Sequence, residues 1–134
     1  MGHLLIIDDN KDVRDLTALL LRSVGHTVDT VEGAREGLAA YAAGAHDLVI
    51  TDIMMPDMDG LELIAHLRHA APRPRVIAIS GGTMGSMPVH LPAAKNLGVE
   101  RILAKPIEAR VLFDTVADVL ARPGPPTIAQ AKPA

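Results

Sequence analysis

The chain has 134 residues, nearly half of them apolar, with 13 basic and 16 acidic side chains and a net charge of −3. That length fits one domain with a real hydrophobic core, and the slightly acidic balance, without a basic run, excludes a nucleic-acid footprint. The lack of cysteine excludes disulfides and thiolate metal centres. The apolar runs are far too short to span a bilayer, and Asp8 and Asp9 follow the N-terminus too soon for a signal peptide, so a soluble, cytoplasmic protein is expected.

His3–Ile7 opens the chain as a short apolar run and reads as the first strand. Asp12–Val24 follows with Val13, Leu16, Leu20 and Val24 on one helical stripe and Gly25 as the C-terminal cap. Thr27–Val31 is the second strand, and Ala34–Ala43 the second helix, its apolar face Leu38 and Tyr41. Leu48–Thr51 is the third strand. Asp59-Gly60-Leu61-Glu62 resembles a capping box opening a helix that Pro72 closes. Val76–Ile79 is the fourth strand. The stretch to Val99 is then broken by Gly81, Gly82, Gly85, Pro88 and Pro92, which leaves a long loop and a short helix near Pro92–Leu97. Arg101–Ala104 is the fifth strand, and Glu108–Ala121 a helix with Val111, Leu112, Thr115, Val116, Val119 and Leu120 on one face. Residues 122–134 carry four prolines and little apolar material, so they read as a disordered tail or linker after a domain at 1–121.

Five βα repeats with nearly continuous Val/Ile/Leu/Ala strands predict an α/β fold: a doubly wound five-stranded parallel sheet covered by helices on both faces. Ligands bind such sheets at the carboxyl ends of the strands. Those ends carry Asp8-Asp9, Asp52, Ser80-Gly81 and Lys105-Pro106. In the strand order 2-1-3-4-5 the first and third strands are neighbours, and three carboxylates converge. Singly, acidic residues after strands often cap helices, and Lys105 or Ser80 alone would pass for surface groups. Together, bare carboxylates about 4 Å apart repel by about 4 kcal/mol at an effective dielectric near 20, so a cation must offset them. Mg²⁺ with oxygen ligands fits, and Lys105 adds a second positive charge.

The motifs Leu5-Ile6-Ile7-Asp8-Asp9-Asn10, Thr51-Asp52-Ile53-Met54-Met55-Pro56-Asp57-Met58-Asp59-Gly60, Ile79-Ser80-Gly81 and Leu103-Ala104-Lys105-Pro106 stand in order and at matching spacing. With them the chain resembles a response-regulator receiver domain, the family of the chemotaxis regulator, from about His3 to Ala121. The resemblance implies the flavodoxin-like (βα)5 fold and two-component phosphorelay signalling. Asp52 would be the phosphoacceptor. Asp9 and Asp52 would bind Mg²⁺ directly, Asp8 through water, and Met54 through its backbone carbonyl. Ser80 and Lys105 would hold phosphoryl oxygens, and the Lys105–Pro106 bond would be cis. The donor would be a histidine kinase or phosphotransfer protein, and the output a switch in binding to a downstream protein, with no nucleic acid or membrane bound by this chain. It would not be an enzyme beyond its own phosphorylation and dephosphorylation. His66 and His69 read as solvated.

Three features depart from the family pattern. Ile102 stands where many receivers carry an aromatic residue three positions before the lysine. The stretch from Ser80 to Lys105 is longer than in the chemotaxis regulator and rich in Gly, Met and Pro. This chain carries no output domain, so it is expected to be either a stand-alone receiver or a piece of a larger regulator or hybrid kinase. Phosphorylation is therefore expected to draw Ser80 inward and remodel Gly81–Pro92. A haloacid-dehalogenase-like phosphatase is disfavoured, because its Asp-x-Asp motif and cap are lacking. The alternative is a degenerate receiver used only for protein binding or dimerisation.

Overall fold

The computed structural model describes residues 2–44, 46–53, 60–70, 72–80 and 98–123. Five strands, β1 (His3–Ile7), β2 (Thr27–Val31), β3 (Leu48–Asp52), β4 (Arg75–Ser80) and β5 (Arg101–Ala104), alternate with helices α1 (Lys11–Ser23), α2 (Ala34–Ala43), α3 (Gly60–Leu67) and α4 (Ala109–Ala121). The strands form one parallel sheet in the order β2-β1-β3-β4-β5. Both the fold class and the order match the sequence reading. The expected helix near Pro92–Leu97, the loop 81–92 and residues 124–134 lie outside the described residues. Among those described, no helix is long and apolar enough to cross a membrane.

The two-residue period of the strands divides the core into two layers. Leu5, Ile7, Val49, Val76 and Ala78 face α2 and α3, where they meet Tyr41, Leu63, Ile64 and Leu67. Leu4, Ile6, Leu48, Ile50, Ile77 and Ile79 face α1 and α4, where they meet Ala18, Leu21, Leu112, Val116 and Val119. This is why β1, β3 and β4 read as unbroken apolar runs: each residue has a helix above or below it. The edge strand β5 splits in the same way, Ile102 packing on the first layer and Leu103 on the second. Tyr41 ties α2 to the chain entering β4, its hydroxyl donating to the Pro72 carbonyl at 2.5 Å.

Two helices differ from their forecast faces. On α1 the expected stripe of Val13, Leu16, Leu20 and Val24 holds only in part: Leu20 packs on the second layer and Val13 is half-buried, but the fully buried residues are Thr17, Ala18 and Leu21, while Leu16 and Leu19 are 55% and 63% exposed. The reason is local. Thr17 donates its hydroxyl to the Val13 carbonyl at 2.7 Å, so its polar atom is satisfied and its methyl can pack. Ala18 is small enough to let the helix approach the sheet. Asn10 caps α1 through Oδ1, which accepts the Val13 N–H at 3.0 Å, and Gly25 leaves the helix at φ +99 as expected of a glycine cap. On α4 the forecast face holds except at Val111, which is exposed. Helix α3 ends at Leu67, before Pro72, and a turn follows.

The α1 face gives a direct prediction. Leu21→Ala should lower stability by about 3 kcal/mol through lost burial and a residual cavity. Leu19→Ala should change it by less than about 0.5 kcal/mol. Urea unfolding of both variants checks the assignment. Equal losses would return Leu19 to the core.

Candidate functional site

Asp8, Asp52, Ser80 and Lys105 lie at or just beyond the carboxyl ends of β1, β3, β4 and β5. Parallel pairing brings those ends to one edge, with Ile7 opposite Thr51, Asp52 opposite Ile79, and Ser80 opposite Ala104. Backbone hydrogen bonds continue past the strands: Ile53 donates to Ile79 at 2.9 Å, and Lys105 to Ser80 at 2.9 Å. Each of these candidate side chains therefore sits at or one residue past the end of a paired strand, which fixes its position.

Asp8, Asp9 and Asp52 offer carboxylate oxygens within 4.8 Å of one another. Asp8 and Asp52 are buried and Asp9 is exposed. Lys105 reaches into the cluster from β5, its Nζ 2.8 Å from Asp52 Oδ2 and 3.3 Å from Asp8 Oδ2. Burial pushes the Asp8 carboxyl above the usual range, against the hydrogen bond from Asn10 and the charge of Lys105. Burial also disfavours the Lys105 ammonium, but hydrogen bonds and attraction from Asp52 and Asp8 outweigh it and hold its pKa above the ordinary lysine value.

Ser80 is buried at the end of β4, and the Lys105–Pro106 peptide is cis. Met54 lies outside the described residues. Two residues that had no assigned role support the cluster. The Asn10 backbone N–H donates to Asp8 Oδ1 at 2.9 Å, and Arg14 Nη1 donates to the Asp8 carbonyl at 2.8 Å. Asn10 thus fixes the Asp8 carboxylate with its backbone and starts α1 with its side chain. A polar N-cap residue immediately after the acidic pair was the available signal for this.

Three carboxylates face one ammonium, so the cluster retains an excess of negative oxygen donors. That donor set suits a hard divalent cation such as Mg²⁺, which prefers carboxylate and phosphate oxygens. A pocket of this kind can hold a phosphoryl group only if its charges are neutralised, and a divalent cation together with Lys105 would meet that need.

A family model described as the response regulator receiver domain matches residues 4–117. The chain is 36% identical over 126 residues to the transcriptional regulatory protein GlrR of Escherichia coli, with 94% of this chain and 28% of that protein covered. It is 35% identical over 118 residues to the sensory/regulatory protein RpfC of Xanthomonas campestris pv. campestris, with 87% and 16% covered. The chain thus spans less than a third of either relative's length. Among solved structures it is similar to the chemotaxis response regulator CheY4 of Vibrio cholerae, with a TM-score of 0.80, 26% identity, and 89% of this chain and 98% of that one covered.

Proposed function

Because this chain belongs to the response regulator receiver domain family of two-component signalling, we propose that Asp52 accepts a phosphoryl group and that the phosphorylated pocket switches binding to a downstream protein. The observation that carries this reading is the convergence of Asp8, Asp9, Asp52 and Lys105 at one sheet edge.

An Asp52 carboxylate oxygen attacks phosphorus. The bond from phosphorus to the donor's leaving atom breaks, and the product is an aspartyl phosphate. Lys105 holds Asp52 Oδ2 at 2.8 Å, which fixes the carboxylate before reaction. After transfer its ammonium would pair with a phosphoryl oxygen, and the Ser80 hydroxyl would donate to another. Asp52, Asp8 and Lys105 are held together in advance of the reaction, so these groups need little reorganisation. Asp8, Asp9 and Asp52 would hold Mg²⁺, with the Met54 carbonyl proposed as a further ligand, and the ion would neutralise charge on the transferring group. A histidine kinase or a phosphotransfer protein is the proposed donor. Ile102, half-buried on the α2–α3 layer, occupies the position of the aromatic switch and cannot act as one, so the signal is proposed to leave the pocket through Ser80 and the chain that follows it.

Incubation with acetyl phosphate and Mg²⁺, followed by intact mass measurement, tests the proposal. The wild-type chain should gain one phosphoryl group, and Asp52→Ala should gain none. Chelation of the metal should abolish the gain. If the wild-type chain fails to react even with a cognate kinase, it is a degenerate receiver used for protein binding or dimerisation.

A further inference from the structure

A second cluster lies at the opposite end of the sheet. His3 opens β1, Asp29 sits in the middle of the edge strand β2, and His46 precedes β3. Asp29 Oδ2 lies 2.9 Å from Nε2 of His3 and 2.9 Å from Nε2 of His46. The two imidazoles stand with ring centroids 4.3 Å apart, and the three ligand atoms fall within 4.8 Å of one another. We propose that His3, Asp29 and His46 form a transition-metal site of the Zn²⁺ class, with three protein ligands and an open fourth position.

The donor set differs in kind from that of the acidic pocket. Two imidazoles and one carboxylate suit Zn²⁺ and its neighbours, while Mg²⁺ prefers oxygen alone. Two histidines and a carboxylate around an open position is a recurrent zinc arrangement. Ligand atoms around a tetrahedral Zn²⁺ are about 3.3 Å apart, given metal–ligand distances near 2.0–2.1 Å. The two N···O separations of 2.9 Å need to open by only a few tenths of an ångström.

The site is also held in place. The His3 N–H donates to Asp47 Oδ2 at 2.8 Å, and the Asp47 N–H donates back to the His3 carbonyl at 2.7 Å. This reciprocal clamp locks the segment carrying His46 against the start of β1. The His46 side chain is 1% exposed and lies near the Tyr41 ring, so one ligand is fixed by packing, while Asp29 is open to solvent. Solvent thus reaches the cluster from the Asp29 side, which gives a metal its entry. Bound there, the ion ties the edge strand β2 to β1 and to the entry of β3. His46 Nδ1 is buried and has no hydrogen-bond partner among the described residues. Metal-ligating histidines usually direct that second nitrogen to an acceptor, and its lack weakens binding by roughly ten- to hundredfold.

Calorimetric titration of the full, untagged chain with Zn²⁺ tests the site. Saturating Mg²⁺ is included to fill the acidic pocket. One equivalent should bind with micromolar affinity. Asp29→Asn and His3→Gln, both at sites open to solvent, should each weaken it roughly ten- to hundredfold. His66→Gln with His69→Gln should leave it unchanged. Co²⁺ in place of Zn²⁺ should give the visible absorption of a tetrahedral site, lost in Asp29→Asn. The proposal is overturned if the wild type takes up no zinc at micromolar concentrations, if Mg²⁺ displaces the zinc, or if folded Asp29→Asn and His3→Gln bind like wild type.

Discussion

Lys105→Met is expected to destabilise the metal-free chain by about 2 kcal/mol at neutral pH. Methionine keeps the length and most of the apolar stem, so the change isolates the charge. In the native pocket the ammonium lies 2.8 Å from Asp52 and 3.3 Å from Asp8. Those two side chains are only 5% and 3% exposed, while Lys105 is 23% exposed. Removing one partner of a buried ion pair costs about 3–5 kcal/mol, because the other charge is left uncompensated. Lys105 is itself partly exposed to water and Asp8 has a raised pKa, which lowers the expected figure to about 2 kcal/mol. For a domain of this size that is a fall in Tm of about 8 °C. Mg²⁺ should raise the Tm of Lys105→Met more than that of the wild type, because the divalent cation then meets two buried carboxylates with no competing ammonium. Thermal unfolding with and without Mg²⁺ measures both effects. An unchanged Tm in the metal-free variant would mean that water already screens the pair and that Lys105 contributes nothing to the resting pocket.

The parts of this fold that could be read from the sequence are those where a single physical signal dominates. β1, β3 and β4 are covered on both faces, so their apolar runs allowed no other reading, and the strand ends then delivered Asp8, Asp52, Ser80 and Lys105 to one edge. The face of helix α1 was legible only in part, for the opposite reason. It carries apolar residues around most of its circumference, so spacing alone supports more than one stripe. The choice was made by Thr17 and Ala18, a hydroxyl satisfied by its own helix and a small residue that permits close approach. Neither looks like core in a sequence. The His3–Asp29–His46 cluster was invisible for a third reason. Its members are separated by 26 and 17 residues and match no local metal motif; only the parallel register of β1, β2 and β3 brings them together. Residues placed by the topology at strand ends can thus be anticipated, while residues joined sideways across strands cannot.

Asp8→Asn should have effects of opposite sign on stability and on function. Asparagine retains an oxygen to accept the Asn10 N–H, now 2.9 Å from Asp8 Oδ1, so the local turn survives. The variant removes one of two buried carboxylates that share Lys105. Burial holds the Asp8 carboxyl above its ordinary pKa, so the folded chain binds that proton more tightly than the unfolded chain does. Stability from this group is therefore present below the unfolded value and is lost as pH rises through the folded one. Above that folded value the carboxylate is both buried and charged, and removing the charge should there stabilise the metal-free chain by about 1 kcal/mol. Asp9→Asn, at an exposed position, should shift it by less than about 0.5 kcal/mol. Either variant should weaken Mg²⁺ binding at least roughly tenfold, since each deletes an oxygen donor with its charge. Urea unfolding across the acid range, paired with Mg²⁺ titration, checks the prediction. The stability gain of Asp8→Asn should fade as pH falls and the wild-type carboxyl takes up its proton. A loss of stability at neutral pH would instead mean that the attraction of Asp8 to Lys105 exceeds the cost of its burial. The expected trade follows from the pocket itself: a cluster held ready for a cation is a strained one until the cation is bound.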